Sequence, residues 1–398
     1  MPFSSAAHHE HALRVMCVVA ARPNMMKVAP IMAEMRRAGG FDPVLVHTGQ
    51  HYDYAMSQVF FEQLQMPNAD HDLEVGSGSH HEQTAEIIKR FGKLVTAERP
   101  DCIVVAGDVN STMACALVAA KERIPLAHVE AGLRSGDRSM PEEINRIVTD
   151  ALSDLLLVTE QSGLDNLSRE GVDAQKVVFT GNVMMDSLRR ALELPERSNI
   201  LEKVGLLERK YLLITLHRPS NVDDPAQLKA TLQQIAVLAK EMPAVFPVHP
   251  RTAAKVKELG IPGLSAWQDG ERVGGSGTWL MEPAPYLDFV ELQRAAALVI
   301  TDSGGVQEET TYLGVPCLTY RENTERPVTI SRGTNRLIGA KPERIVPEAR
   351  AALQETRVSG AMRPPLWDGH AAERIVDALR KFVLSKRAES TVSVSARG

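Results

Sequence analysis

The nineteen residues from His128 to Arg146, His-Val-Glu-Ala-Gly-Leu-Arg-Ser-Gly-Asp-Arg-Ser-Met-Pro-Glu-Glu-Ile-Asn-Arg, put carboxylates at two places where acid/base chemistry could be done. Pro125–Val129 reads as a short buried strand, so Glu130 is expected where its C-terminal edge opens into a loop. Pro141 pre-sets the φ of a first helical residue, so Glu142 and Glu143 open the next helix. Carboxylates at such edges act as acids or bases when burial and neighbours bring their pKa towards neutrality. Standing alone, Glu142 and Glu143 would do no more than complement a helix dipole. Their weight comes from the residues that accompany them.

Gly107-Asp108-Val-Asn-Ser-Thr112 closes another strand-like run, Cys102–Ala106, and brings Asp108 to the same edge, where it could equally cap the helix that starts near Ser111. Arg22 and Lys27 flank the first helix start after the run Arg14–Ala20 and are candidate substrate-binding cations at the C-terminal edge of that strand; the alternative, a solvated surface charge, weighs more for Lys27 than for Arg22. In the second half, His217 and Arg218 follow the run Tyr211–Leu216, a pairing suited to phosphate. Leu298-Val-Ile-Thr-Asp-Ser-Gly-Gly-Val-Gln-Glu-Glu309 reads as strand, glycine turn and helix. Ser303, Gly304 and Gly305 would there present backbone N–H groups and a hydroxyl to a diphosphate. Glu308 or Glu309, one turn on, could accept from ribose hydroxyls, and Arg326 in Thr324-Glu-Arg-Pro327 is one more phosphate cation. Taken alone, the glycine pair could serve only a turn that needs φ > 0.

Two chemistries are not expected. The first turn, Ala20-Ala-Arg-Pro-Asn24, lacks the Gly-x-Gly-x-x-Gly of dinucleotide sites, so no nicotinamide cofactor is implied. The histidines at 8, 9, 11, 47, 51, 80 and 81 lack companion ligands at useful spacing, so no metal site is implied.

The elements that must position these residues follow from the alternation of short apolar runs with helical patterns, the mark of parallel sheets with crossover helices. Strands are expected at 14–20, 43–47, 102–106, 125–129, 155–159 and 177–180, then at 211–216, 244–248, 278–281, 298–301 and 316–319. The main helices are expected at 82–94, 111–121, 142–152 and 225–240. The polar stretch 194–210 separates two α/β, Rossmann-like, doubly wound domains, 13–193 and 194–370, expected to face each other across a cleft. A C-terminal helix at 371–385 is expected to pack back on the first domain, with flexible tails at 1–12 and 386–398. Asp269–Gly277, with four glycines, reads as a flexible surface loop.

At 398 residues, 44% apolar and 24% charged, the composition is that of a soluble globular chain. A formal charge of −5 gives no footprint for nucleic acid, and no apolar run reaches the ~18 residues that span a bilayer. Met1–His11 lacks the apolar stretch of a secretory signal, and the four scattered cysteines suit buried thiols in the cytoplasm.

Together these motifs resemble the non-hydrolysing UDP-N-acetylglucosamine 2-epimerases, with a glycosyltransferase-B-like fold. The resemblance runs from Ala21-Arg-Pro23 to about Gly339 and is carried by Gly107-Asp108, His128–Arg134, Pro141–Arg146, His217-Arg218, Asp302–Glu309 and Thr324–Pro327. It implies acid/base roles for Asp108, Glu130 and Glu142 and a UDP-holding role for His217. It also implies that Phe289 stacks on uracil, that Ser303 and Gly304 hold phosphate, and that Glu309 holds ribose. A homodimer acting on a UDP-sugar is implied as well. The pair Gln50-His51 matches a site where some bacterial members bind a second, regulatory substrate molecule. Many members have Gly-Thr-Arg-Pro-Glu where this chain has Ala20-Ala-Arg-Pro-Asn24, so no acidic role carries over to Asn24.

The implied chemistry explains the inventory. The C2 proton of an N-acetylhexosamine is not acidic, because no carbonyl adjoins it in the ring. Departure of UDP from C1 as that proton leaves acidifies it and yields a glycal, and re-addition with protonation from the other face inverts C2. Such an enzyme needs carboxylates for both faces, cations that hold UDP through departure and return, and exclusion of water. The nearest rival is a hydrolysing relative that releases UDP and free N-acetylmannosamine. Others are a retaining glycosyltransferase of the same fold, which would not need three carboxylates, and a non-catalytic UDP-sugar sensor. The substituents at C3, C4 and C6 of the sugar stay open, a UDP-diacetamido-uronic acid among them.

Overall fold

Runs such as Leu13–Val19 and Cys102–Ala106 show no polar alternation because both faces of their sheet are covered, and almost every residue in them is buried. The computed structural model describes residues 12–20, 22–49, 68–194, 198–248, 250–355 and 363–395. The chain divides into two units, residues 1–187 with 370–398, and residues 188–369.

In the first unit the strands are β1 (Leu13–Val19), β2 (Phe41–His47), β3 (His71–Asp72), β4 (Cys102–Ala106), β5 (Leu126–Ala131), β6 (Leu155–Val158) and β7 (Val177–Phe179). They form a seven-stranded sheet in the order β3-β2-β1-β4-β5-β6-β7, every pair parallel. Successive residues of β1 serve opposite layers. Val15, Cys17 and Val19 join a core with the helices Arg22–Ala38 and Ala371–Ser395, whereas Met16 and Val18 join one with His80–Glu98 and Asn110–Glu122.

The second unit contains β8 (Leu212–Thr215), β9 (Ala244–Pro247), β10 (Leu264–Ala266), β11 (Thr278–Met281), β12 (Leu298–Thr301), β13 (Cys317–Thr319) and β14 (Asn335–Leu337). Its sheet is likewise parallel throughout, in the order β10-β11-β9-β8-β12-β13-β14. The order reverses direction between β1 and β4 in the first sheet and between β8 and β12 in the second, where β11 is also inserted between β9 and β10. Open α/β sheets bind ligands beyond the carboxyl ends of strands at such a switch point.

Three strands escape the apolar pattern: β3, β10 and β14, of two, three and three residues, all at sheet edges. An edge strand pairs on one side only, so its sequence need not be apolar. The strand expected to end at Val129 continues to Ala131, carrying Glu130 inside it. The final helix runs past 385 to Ser395, where a flexible tail was expected. Asp186 accepts from Ala371 N (3.1 Å) and Ala372 N (2.9 Å) at its start, and Arg387 bonds Asp101 at 3.0 and 2.6 Å beyond the expected end. The 269–277 loop is pinned rather than free: buried Val273 bonds Val204 O at 2.8 Å and Asp269 pairs with Lys203 at 2.8 Å.

Candidate functional site

In the first unit the site begins with a break in β5. The register against β6 shifts between Val129 and Ala131, and Glu130, the residue left over, has φ +73. A non-glycine residue in the left-handed region stores strain, and a bulge re-aims a side chain, so both features single out Glu130. Its carboxylate is 5% exposed and ion-paired with Lys27 Nζ. Lys27, a candidate for holding the substrate, is thus a buried partner of Glu130, which sets aside the alternative of a solvated surface charge.

Asp108 follows Gly107 past the end of β4 and pairs with Arg146 Nη1, while Asn145 Nδ2 donates to the Asp108 carbonyl at 2.8 Å. Val109, not Asp108, stands at the start of the helix Asn110–Glu122, so capping is not what occupies the Asp108 carboxylate. Arg146 and Asn145 lie four and three residues after Glu142 and therefore share its helical face. Glu142 is half-buried, and its carboxylate makes no hydrogen bond or ion pair among the described residues. Glu143 has the opposite environment. It is 1% exposed and accepts from Ser135 N and Gly136 N, each at 2.9 Å, and from Arg146 Nε (3.1 Å) and Nη2 (2.8 Å). Burial alone would raise its pKa, but these donors outweigh it and hold the carboxyl below its usual range. The two adjacent glutamates are thus divided between an open carboxylate and a structural one. Asn24 is buried and donates to Ala106 O at 2.6 Å, tying the first helix to β4. The side chain of Arg22, and Gln50 and His51 entirely, lie outside the described residues.

The second unit is organised around Asp302, which is completely buried at the end of β12. Its carboxylate accepts from His217 N (3.1 Å), Arg218 N (3.0 Å) and Asn221 Nδ2 (2.9 Å), and lies 2.9 Å from His217 Nδ1. Burial would raise the Asp302 pKa, but the His217 and Asn221 side chains and the Arg218 backbone lower it, so the group stays ionised. With Nδ1–H committed to Asp302, His217 leaves Nε2 outward on a side chain that is 62% exposed. A neutral ring of that tautomer only accepts at Nε2, so donation to a phosphate there requires the imidazolium. Sequence reading missed Asp302, although its place after the last strand residue and before Ser303-Gly-Gly was a usable signal.

Ser303 stands at the N-cap of the helix Gly304–Leu313 with its hydroxyl making no capping bond. The first-turn N–H groups of a helix have no partner within it, which leaves them for an anion. Gly304 and Gly305 do not lie in the left-handed region, so the glycine pair is not there for φ. Gly304 instead makes room for Arg326, whose Nη1 would lie 2.8 Å from a Cβ at that position. Arg326 crosses the helix start, where it is paired with Glu308 and lies 3.5 Å from Glu325. Arg218 donates from Nε to the Asp302 carbonyl at 3.2 Å.

Glu308 and Glu309 separate cleanly. Glu308 serves Arg326, whereas buried Glu309 accepts from Gln293 Nε2 at 2.6 Å. Gln293 and half-buried Phe289 belong to the same helix, Tyr286–Ala295. Among the described residues no group of three or more His, Cys, Asp or Glu side chains is placed to hold a metal ion.

Residues 33–380 match the family model described as UDP-N-acetylglucosamine 2-epimerase. The chain is 37% identical over 372 residues to the UDP-N-acetylglucosamine 2-epimerase of Methanocaldococcus jannaschii, covering 92% of this chain and 99% of that protein. It is 36% identical over 374 residues to the UDP-2,3-diacetamido-2,3-dideoxy-D-glucuronate 2-epimerase of Pseudomonas aeruginosa, covering 93% and 100%. Among solved structures it resembles the M. jannaschii UDP-GlcNAc 2-epimerase in complex with UDP-GlcNAc and UDP, with TM-score 0.81 and 36% identity over 93% of this chain and 100% of that one.

Proposed function

Because the chain belongs to the UDP-N-acetylglucosamine 2-epimerase family, we propose that it interconverts UDP-GlcNAc and UDP-ManNAc through elimination of UDP to a glycal and its re-addition. Asp108, Glu130 and Glu142 of the first unit move the C2 proton, and the second unit holds UDP through the step. The observation that carries this reading is Glu130, a nearly buried carboxylate on bulged, left-handed backbone, held by Lys27 next to the switch point of the sheet. His217, Arg218 and the N-terminus of the helix Gly304–Leu313 receive the diphosphate charge as it develops. Glu309, oriented by Gln293, takes the ribose hydroxyls, and Phe289 stacks on uracil. Arg326 and Ser303 complete the phosphate contacts.

The test is NMR of the purified protein with UDP-GlcNAc in D2O. Both UDP-GlcNAc and UDP-ManNAc are expected to gain deuterium at C2 with no net UDP release. Stoichiometric UDP and free N-acetylmannosamine would select the hydrolysing reaction instead. Running UDP-2,3-diacetamido-glucuronate in parallel tests the sugar, since relatives of similar identity are named for each substrate.

His217→Asn removes the Nε2 donor. A charge-assisted hydrogen bond is worth ~1.5–3 kcal/mol, so UDP affinity should fall ~10- to 100-fold and more turnovers should leak UDP and glycal. Unchanged UDP affinity and leakage would place His217 outside the phosphate site.

Among the described residues no helix is long and apolar enough to cross a membrane. We place the enzyme in the cytoplasm as a homodimer that supplies activated N-acetylmannosamine for surface polysaccharide. Light scattering at the mass of a single chain would refute the dimer.

A further inference from the structure

The carboxylate of Asp150 touches both ends of the stretch His128–Gly132 that carries Glu130 at its centre. Oδ1 lies 2.6 Å from His128 Nδ1, while Oδ2 accepts from Gly132 N at 3.0 Å and from Arg134 Nη1 at 2.7 Å. His128 is completely buried, and its other nitrogen lies 2.9 Å from Gly107 O, so the ring faces an acceptor at each nitrogen. Asp150 itself is 3% exposed. Burial would raise its pKa, but His128 and Arg134 outweigh that and keep it ionised.

Stability alone gives little reason for this arrangement, because a buried ion cluster is commonly no better than apolar side chains of the same volume. The cluster is distinguished by what it grips. Residue 128 precedes the bulge and residue 132 follows it, and between them Glu130 sits at φ +73, a conformation that persists only when its surroundings over-determine it. Arg134 serves the same grip from the far side and is itself braced by Glu170 at 2.9 and 2.7 Å.

We infer that Asp150 is a positioning residue for the reaction: by clamping His128 and Gly132 it holds the backbone that aims the Glu130 carboxylate. The inference rests on the acid/base reading of Glu130. Misplacement of a catalytic group by ~1 Å costs up to ~10²-fold in rate. Asp150→Asn keeps the size of the side chain but leaves one of its two acceptor positions facing a donor with a donor.

The experiment compares Asp150→Asn, Glu130→Gln and the double variant, with kcat, KM and UDP affinity measured on folded, monodisperse enzyme and Tm recorded alongside. Asp150→Asn is expected to lower kcat ~10- to 100-fold with KM and UDP affinity within ~3-fold. In the Glu130→Gln background the same change should slow turnover by no more than ~3-fold, because there is no longer a carboxylate to aim. Wild-type kcat in Asp150→Asn, with or without a lower Tm, overturns the inference and leaves Glu130 standing if Glu130→Gln is slow. Full multiplication of the two defects in the double variant also overturns it, since Asp150 would then act elsewhere. Wild-type turnover in Glu130→Gln refutes the catalytic assignment of that residue and the inference with it. If Asp150→Asn does not accumulate as folded enzyme, His128→Gln loosens one end of the same clamp and is held to the same outcomes.

Discussion

Glu130→Gln and Glu142→Gln are each expected to slow epimerisation ~10²- to 10⁴-fold, because removing a positioned acid or base costs that much; Glu142→Gln should move Tm by no more than a few degrees, whereas Glu130→Gln should also lower it, since it takes the counter-ion from buried Lys27. For Glu142 the environment makes the prediction sharp. A half-buried carboxylate with no bond among the described residues offers stability only its interaction with the helix dipole, worth ~0.3–1 kcal/mol. Glu143→Gln is the internal control with the opposite signature. Its carboxylate is surrounded by four donor contacts from Ser135, Gly136 and Arg146, and an amide would turn a donor towards one of them. Leaving buried charge unpaired costs ~3–5 kcal/mol, so Glu143→Gln should lose folded enzyme first and activity as a consequence. Asp108→Asn should slow turnover like the glutamate variants, with Arg146 still held by Glu143. Near-wild-type turnover in Glu130→Gln, Glu142→Gln and Asp108→Asn, assayed side by side, would defeat the carboxylate mechanism whatever the family resemblance.

Gly132→Ala is expected to destabilise the first unit by ~2–5 kcal/mol, combining left-handed strain of ~1–2 kcal/mol with overpacking of ~1–3 kcal/mol. Gly132 has φ +81, and a Cβ there would lie 2.5 Å from the carbonyl oxygen and 2.9 Å from the carbonyl carbon of Gly163. That neighbour is helix backbone and cannot swing aside as a side chain would. Gly163 is packed just as closely on the same side, since a Cβ of its own would meet Val158 Cγ1 at 2.7 Å and Ala131 O at 3.1 Å. At ~2–4 °C per kcal/mol for a unit of this size, the shift in Tm is about 10 °C. Gly136→Ala separates the two terms, having φ +75 but nothing within 4 Å of the added carbon. Calorimetry giving the same Tm for both variants would show that the contact with Gly163 yields easily, contrary to expectation.

Much of the molecule could be read without coordinates, and for identifiable reasons. Two-sided burial turns a parallel strand into an unbroken apolar run, which is why the central strands of both sheets were legible and the edge strands His71–Asp72, Leu264–Ala266 and Asn335–Leu337 were not. Asp108, His217 and Ser303 could be singled out as candidates because each lies two residues past the end of a strand, a position the chain order itself marks. The continuation of the last helix to Ser395 was not legible, because it is fastened by Arg387 to Asp101, a partner 286 residues away.

The linear sequence therefore determined the fold class, the succession of elements and the chemical types gathered at the strand ends, since each is written in local periodicity and in motifs a few residues long. It could not determine which charges are free to act. Glu142 and Glu143 are adjacent and chemically identical, yet only Glu143 is enclosed by donors, and Lys27 is a buried counter-ion because Glu130 lies across the sheet from it. The left-handed bulge at Glu130, and the grip of Asp150 on the residues either side of it, depend on groups 18 and 22 positions apart that the parallel sheet and its crossover helix bring within hydrogen-bonding distance. Burial and partner choice are properties of that three-dimensional neighbourhood, and they decide the protonation state and aim of a side chain whose identity alone is fixed by the chain.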